Sequence, residues 1–129
     1  MTFYLAAKYD KREQVNQIAE QLRQLGHCVQ AEWLDGSHTG MSEDEQRSYA
    51  RKDLADIQAC THFVMFQLPV DHPECSPGRH IELGYAIGLG KHRIIVGGGE
   101  SVFYTLTQRY PTVEAFLAEF ARTDHATQK

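Results

Sequence analysis

His62-Phe63-Val64-Met65-Phe66-Gln67 is a short run with four consecutive apolar residues at its centre. It is too short for an ordinary helix and reads as a buried central strand. Pro69, Pro73 and Pro77 punctuate the loop that follows. A helix is then expected from about Arg79 to Leu89, stopped at Gly90. Arg93-Ile94-Ile95-Val96 reads as the next strand, closed by Gly97-Gly98-Gly99. Strand, helix and strand in that order form a unit whose two strands lie parallel, joined by a right-handed crossover. This unit decides the class.

Working outward, residues 2–7 are apolar and β-prone and read as a first strand. Asp10 with Glu13 resembles a capping box, and Val15, Ile18, Ala19, Leu22 and Leu25 follow at helical spacing up to Gly26. Residues 27–33 alternate loosely and predict a second strand. After a polar loop from Asp35 to Met41, Ser42 and Glu45 form another capping box, opening a helix to about Ala59. The segment Val102 to Tyr110 is ambiguous and has room for a fifth short strand. Pro111 and Thr112 start a last helix through Val113, Phe116, Leu117 and Phe120. The expected fold is α/β: a single-domain, flavodoxin-like, doubly wound parallel sheet of four or five strands with helices on both faces. The domain is expected over residues 1–122, with a polar, frayed tail over 123–129.

In such sheets ligands bind beyond the carboxyl ends of the strands. The rule selects Ala6 to Asp10, including Ala7, Lys8 and Tyr9, together with Gln67 to Arg79 and Gly97 to Ser101.

The chain has 129 residues, 42% hydrophobic and 23% charged, with a formal net charge of -4. That length fits one domain able to fold without disulfides or a structural metal. The acidic balance argues against a duplex nucleic-acid partner, while leaving room for a small anion held by local cations. The three cysteines form no CxxC pair and suit reduced thiols in a cytoplasm. No stretch approaches the roughly 18 apolar residues of a membrane span, and the N-terminus has no basic region that would mark a signal peptide. A cytoplasmic protein without membrane contact is expected.

Two carboxylates stand in unexpected places. The helix after the central strand carries Ile81, Leu83, Gly84, Tyr85, Ala86, Ile87 and Leu89, almost no polar face, and is expected to be largely buried. Glu82 lies in its first turn. An acid there complements the helix dipole; facing the strand ends, poorly solvated yet ionised, it also suits a nucleophile. Asp53 borders the apolar stripe of Tyr49, Ala50, Leu54 and Ile57, so it either reaches out to solvent or serves function. Asp56 is expected to point outward.

Gly78-Arg79-His80-Ile81-Glu82-Leu83-Gly84-Tyr85-Ala86-Ile87-Gly88-Leu89-Gly90-Lys91 resembles the signature of the nucleoside 2-deoxyribosyltransferase superfamily, which includes nucleoside 5′-monophosphate N-glycosidases. Phe3-Tyr4-Leu5-Ala6-Ala7 and Asp53-Leu54 extend the resemblance, in order, over nearly the whole chain. The resemblance implies that Glu82 attacks the anomeric carbon and forms a glycosyl-enzyme. It implies that Tyr4 hydrogen-bonds and orients Glu82, and that Asp53 binds the sugar or helps to protonate the leaving base. The chemistry parallels retaining glycoside hydrolysis. Water as the acceptor gives a hydrolase; a second base gives a transferase. Transferases of this kind carry an acid six positions before the nucleophile, where this chain has Ser76, with Asp71 and Glu74 out of register. Hydrolysis of a (deoxy)nucleoside or its 5′-monophosphate is therefore the expected reaction. The resemblance also implies a homodimer or higher homo-oligomer.

A substrate phosphate needs donors, and Lys8, Arg12, Arg79, His80 and the amides around Gly78 are the candidates. Ordinary solvation at a helix start explains Lys8 and Arg12 equally well. Trp33 is placed to stack on a base, or to serve as a partly buried core aromatic. Gly97-Gly98-Gly99 lacks the spacing of a phosphate loop and reads as a mobile turn near the site. His72, Cys75 and His80 match no zinc pattern, so no metal and no cofactor are expected. Phe103 and Tyr104 are read as sheet packing or a subunit contact rather than base stackers. Two other readings stay open: a nucleotide-sensing module without turnover, and cleavage of a dinucleotide such as NAD.

Overall fold

The computed structural model describes residues 1–30, 40–68 and 78–127, with the side chains of residues 9 and 122–127 outside that description. Strand β1 spans Thr2–Ala6, helix α1 Arg12–Gln24, β2 Cys28–Gln30, α2 Glu43–Ala59, β3 His62–Gln67, α3 Gly78–Gly88, β4 His92–Gly97, β5 Gln108–Tyr110 and α4 Val113–Thr127. The strands form one sheet in the order β2-β1-β3-β4-β5, and every pairing is parallel. This is the flavodoxin-like order, with five strands. Its direction of winding reverses beside β1, which makes the β1–β3 edge the switch point where ligands settle.

The sheet is the core. Phe3, Leu5, Val64, Phe66, Ile94 and Val96 are among its buried residues, and Tyr4, Phe63, Met65 and Ile95 are buried with them. Alternation along a strand sends neighbours to opposite faces. Phe3 meets Phe116 and Phe120 of α4 edge-on, with ring centroids 6.1 and 5.0 Å away. Tyr4 turns to the other face, stacked on Phe63 at 5.8 Å. The even numbers of β1 therefore look toward α2 and α3, and the odd ones toward α4.

Local chemistry sets the helix ends. Ser42 accepts a hydrogen bond from the Glu45 amide, and the Glu45 side chain accepts one from the Ser42 amide, so the predicted capping box closes α2. The box expected at Asp10 does not form. Lys11 N donates to Lys8 O at 3.0 Å, winding Tyr9–Lys11 into a 3-10 turn, and α1 starts at Arg12 with no side-chain cap. The described part of the second strand is Cys28–Gln30, and residues 31–33 lie outside the described residues. The fifth strand is present, preceded by a 3-10 helix at Val102–Leu106. Helix α4 runs to Thr127, into the segment read as a polar tail.

Two expectations of burial fail. Helix α3 buries Leu83 and Ala86, but Ile81 is 65% exposed and Leu89 40% exposed. An apolar composition on every side does not guarantee that every side has a partner. Asp56 points inward, not outward, and Lys52, one turn earlier, meets its Oδ1 at 2.6 Å. No helix among the described residues is long and apolar enough to cross a membrane.

Candidate active site

Because α3 starts at Gly78, Glu82 falls in its second turn and not in the first as expected, and from there it reaches Tyr4 of β1. Tyr4, wholly buried on β1, donates its hydroxyl to Glu82 Oε2. The direction of the bond follows from the acidities. Burial first, then the charges of Glu82 and Asp53, push the Tyr4 phenol far above its usual range, so the proton stays on Tyr4. Burial likewise raises Glu82, the Tyr4 hydrogen bond pulls it back, and the nearby Asp53 charge raises it again, leaving the carboxyl at about 7. Asp53, half-buried in the third turn of α2, is close enough for its field to act on both partners. Tyr4 and Glu82 thus meet from two separate elements, with Asp53 of a third near enough to be felt by both. A carboxyl poised near neutrality beside a neutral donor is able to serve as a nucleophile or to exchange a proton.

The carboxyl ends of β3 and β4 open, on the α4 side of the sheet, into a hollow of about 600 Å³ lined by Lys8, Lys11, Gln67, Arg79, Gly97 to Gly99, and Thr112 and Val113 at the start of α4. Phe66, Leu68 and Val96 give it an apolar floor. Neither Tyr4 nor Glu82 lines it, and Arg79, three residues before Glu82, is the link between the two places. Gly97 is there of necessity. Its φ is +114°, and a Cβ would fall on the carbonyl oxygen of Gln67 in the neighbouring strand.

Among the predicted substrate-binding residues, Lys8 and Arg79 line the hollow. Ala6 is buried at the end of β1 and Ala7 half-buried just beyond it. Arg12 opens α1 and is not among the lining residues; Lys11, which the sequence reading passed over, is. Gly78 is the first residue of α3, and His80 turns to Tyr104 rather than to the hollow, with Nε2 2.9 Å from the phenol oxygen. The Tyr9 side chain, Trp33, Asp71, His72, Glu74, Cys75 and Ser76 lie outside the described residues. No group of three or more potential metal ligands occurs among the described residues.

Sequence reasoning took in Gln67 only as the first residue of the ligand edge and Tyr104 only as packing, and it gave neither a polar role. Tyr104 is 3% exposed and accepts a hydrogen bond from Gln67 Nε2 at 2.6 Å, while Arg79 Nε donates to Gln67 Oε1 at 3.0 Å. The packing role foreseen for Tyr104 holds, with a polar role added. Phe103 is 61% exposed. A polar residue closing the central strand at the expected ligand edge was the signal for Gln67.

A five-stranded parallel sheet wound this way holds an ionisable carboxyl near its switch point, and the family match says which class of α/β enzyme this is. A family model described as nucleoside 2-deoxyribosyltransferase matches residues 3–116, and the chain belongs to that family. The fold is similar to a 2-deoxyribosyltransferase from Bacillus psychrosaccharolyticus, with 19% identity over 93% of this chain and 96% of that one and a TM-score of 0.74. It is also similar to the Clostridium botulinum CMP N-glycosidase BcmB, with 21% identity, 92% and 97% coverage and a TM-score of 0.61. A 2-deoxyribosyltransferase from Leishmania mexicana shares 16% identity over 94% and 97% of the two chains, with a TM-score of 0.65. No curated protein sequence matches the chain.

Proposed function

We propose that the chain hydrolyses the N-glycosidic bond of a (deoxy)nucleoside or its 5′-monophosphate through a covalent glycosyl-enzyme on Glu82. The observation that carries this reading is the Tyr4 hydroxyl on Glu82 Oε2 with Asp53 beside the pair. Oε2 is committed to Tyr4, so Oε1 attacks the anomeric carbon. As that bond forms, the bond to the base breaks, its electron pair leaves with the base, and Asp53 helps to deliver the proton the base takes up. Water then attacks the same carbon, gives up a proton, and releases Glu82. Tyr4 keeps its proton throughout and stabilises the ionised carboxylate, which its hydrogen bond favours.

Water is favoured over a second base as acceptor by Ser76, which stands where the transferases carry an acid. A 5′-phosphate is supported by the three cations Lys8, Lys11 and Arg79 around the hollow. A homodimer or higher homo-oligomer belongs to the same reading, supported by the exposed Ile81, Val102, Phe103 and Leu106. The free thiols of Cys28 and Cys60 accord with a cytoplasmic site of action.

The test is to incubate the protein with ribo- and deoxyribonucleosides, their 5′-monophosphates and NAD, and to chromatograph for free base. Parallel reactions include a second base. Release that vanishes in Glu82→Ala supports hydrolysis; formation of a new nucleoside with the second base makes the chain a transferase. Tight binding without release overturns the catalytic reading and leaves a sensor.

A further inference from the structure

The hydrogen bonds around the first turn of α3 run in one direction. Arg79 Nε donates to Gln67 Oε1, and Gln67 Nε2 donates to the Tyr104 hydroxyl oxygen. A guanidinium carries donors and no acceptor, so only the carbonyl end of the Gln67 amide can face it. That contact fixes which way the amide is turned, and with it the role of the phenol oxygen as an acceptor from Gln67. The Tyr104 side chain is buried, where a hydroxyl proton without an acceptor is costly. The proton therefore goes to His80 Nε2, 2.9 Å away. An Nε2 that accepts is unprotonated, and the ring proton of a neutral His80 then sits on Nδ1.

We propose that Gln67 and Tyr104 are positioning residues for substrate binding: the one-way chain from Arg79 through both of them to His80 pins the two α3 side chains to the sheet and holds His80 as the neutral Nδ1–H tautomer. The inference rests on the N-glycosidase reading of the site. It gives that site one fixed cation, Arg79, at the rim of the hollow, anchored through Gln67 and Tyr104 to an uncharged His80. The groups around His80 agree. Arg79 is its neighbour on α3, Tyr104 faces it from the 3-10 helix, and Arg109 of β5 lies 5.5 Å from the centre of the Tyr104 ring. Glu82, two residues on, is turned away toward Tyr4. Burial first, and the Arg79 charge second, hold the His80 imidazole below its ordinary range.

The test combines imidazole nitrogen NMR with steady-state kinetics, using His80→Asn to assign the resonance. In the unaltered protein His80 is expected as the Nδ1–H tautomer. Tyr104→Phe removes the chain's middle link with little change of shape; the tautomer should move toward Nε2–H and the His80 pKa should rise. Gln67→Glu reverses the polarity, because a carboxylate accepts from both Arg79 and the Tyr104 hydroxyl. The phenol oxygen then accepts from His80, and the tautomer should switch to Nε2–H. In the kinetic arm, Tyr104→Phe should raise KM about tenfold with kcat within about twofold, the pattern of lost binding rather than lost chemistry. An Nε2–H tautomer in the unaltered protein, a tautomer indifferent to Gln67→Glu, or an unchanged KM overturns the proposal. A protein that releases no base from any substrate overturns the N-glycosidase reading and the substrate-binding role together. The tautomer is read without turnover, so it tests the chain of hydrogen bonds independently of that outcome.

Discussion

Tyr4 and Glu82, 78 residues apart in sequence, share a hydrogen bond in which the buried phenol is the donor and the carboxylate the acceptor. The bond opposes the two influences that keep Glu82 protonated, burial and the Asp53 charge. The ionised form of Glu82, which attacks in the proposed reaction, therefore depends on Tyr4.

A pH profile should expose that dependence. With the Glu82 carboxyl at about 7, kcat/KM should climb as pH rises through neutrality and level off above it. Tyr4→Phe removes the lowering contact and should move this limb to higher pH. Asp53→Asn removes a raising charge and should move it to lower pH, with a lower plateau if Asp53 handles the leaving group. Initial rates from pH 5 to 9 check both shifts; limbs that coincide with the unaltered protein would disprove the electrostatic account.

Replacing the proposed nucleophile should trade chemistry for stability. Glu82→Gln is expected to cost about 10³-fold or more in kcat/KM, as the loss of a covalent nucleophile does. The folded-state pKa of Glu82 lies above its ordinary 4.5, so the folded protein holds that proton more tightly and loses stability as pH rises from about 4.5 to 7. Above neutrality the neutral amide should therefore be more stable than the carboxylate, by about 3 kcal/mol. Thermal melts of both proteins at pH 8 make the comparison.

At the opposite end of the sheet, His62 should show the reverse slope. Its ring lies 4.6 Å from that of His92, nearly parallel, and burial first, then His92, bring its pKa down to about 4. The unfolded chain binds this proton more readily, so the stability His62 permits is full above about 6.5 and lost as pH falls toward 4. Between pH 4.5 and 6.5 the two groups oppose each other. Glu82→Gln should melt with a steeper acid decline than the unaltered protein, and His62→Asn with a shallower one. Parallel slopes in the three proteins would refute the assignment.

Gly97→Ala should damage the fold although it adds a single methyl group. The positive φ disfavours any side chain, and the new carbon would meet the Gln67 carbonyl, with the carbonyl carbon 2.9 Å away. A loss of about 3 kcal/mol is expected, seen as a fall in Tm of roughly 10 °C. Gly98→Ala, with open space around its Cβ, should melt within about 2 °C of the parent.

The order in which these elements became readable has physical reasons. β3, α3 and β4 were legible because a strand covered on both faces is a continuous apolar run, and Gly90 marks the helix stop. The Ser42 box was legible because both of its bonds lie within one turn. The same pattern at Asp10 failed because the chain leaving β1 turns more tightly than a cap allows. The exposed side of α3 was hidden, since composition tells which residues seek burial and not which find a partner. Asp53 and Asp56 stand three residues apart beside one stripe; Asp56 is buried with the exposed Lys52 reaching its Oδ1 from one turn earlier. The trio of Tyr4, Asp53 and Glu82 was reachable through family resemblance, not through spacing. The chain through Gln67, Tyr104 and His80 depends on side-chain orientation across 37 and 24 residues and leaves no local trace.

Tyr4 answers to two masters. Its ring stacks on Phe63 inside the sheet, and its oxygen alone reaches the site. Divergence acting on this fold can therefore discard the proposed reaction by losing one atom, whereas losing the ring would open the core. A descendant with Phe at position 4 and an intact sheet would be the mark of a lineage that had kept the architecture and retired the chemistry.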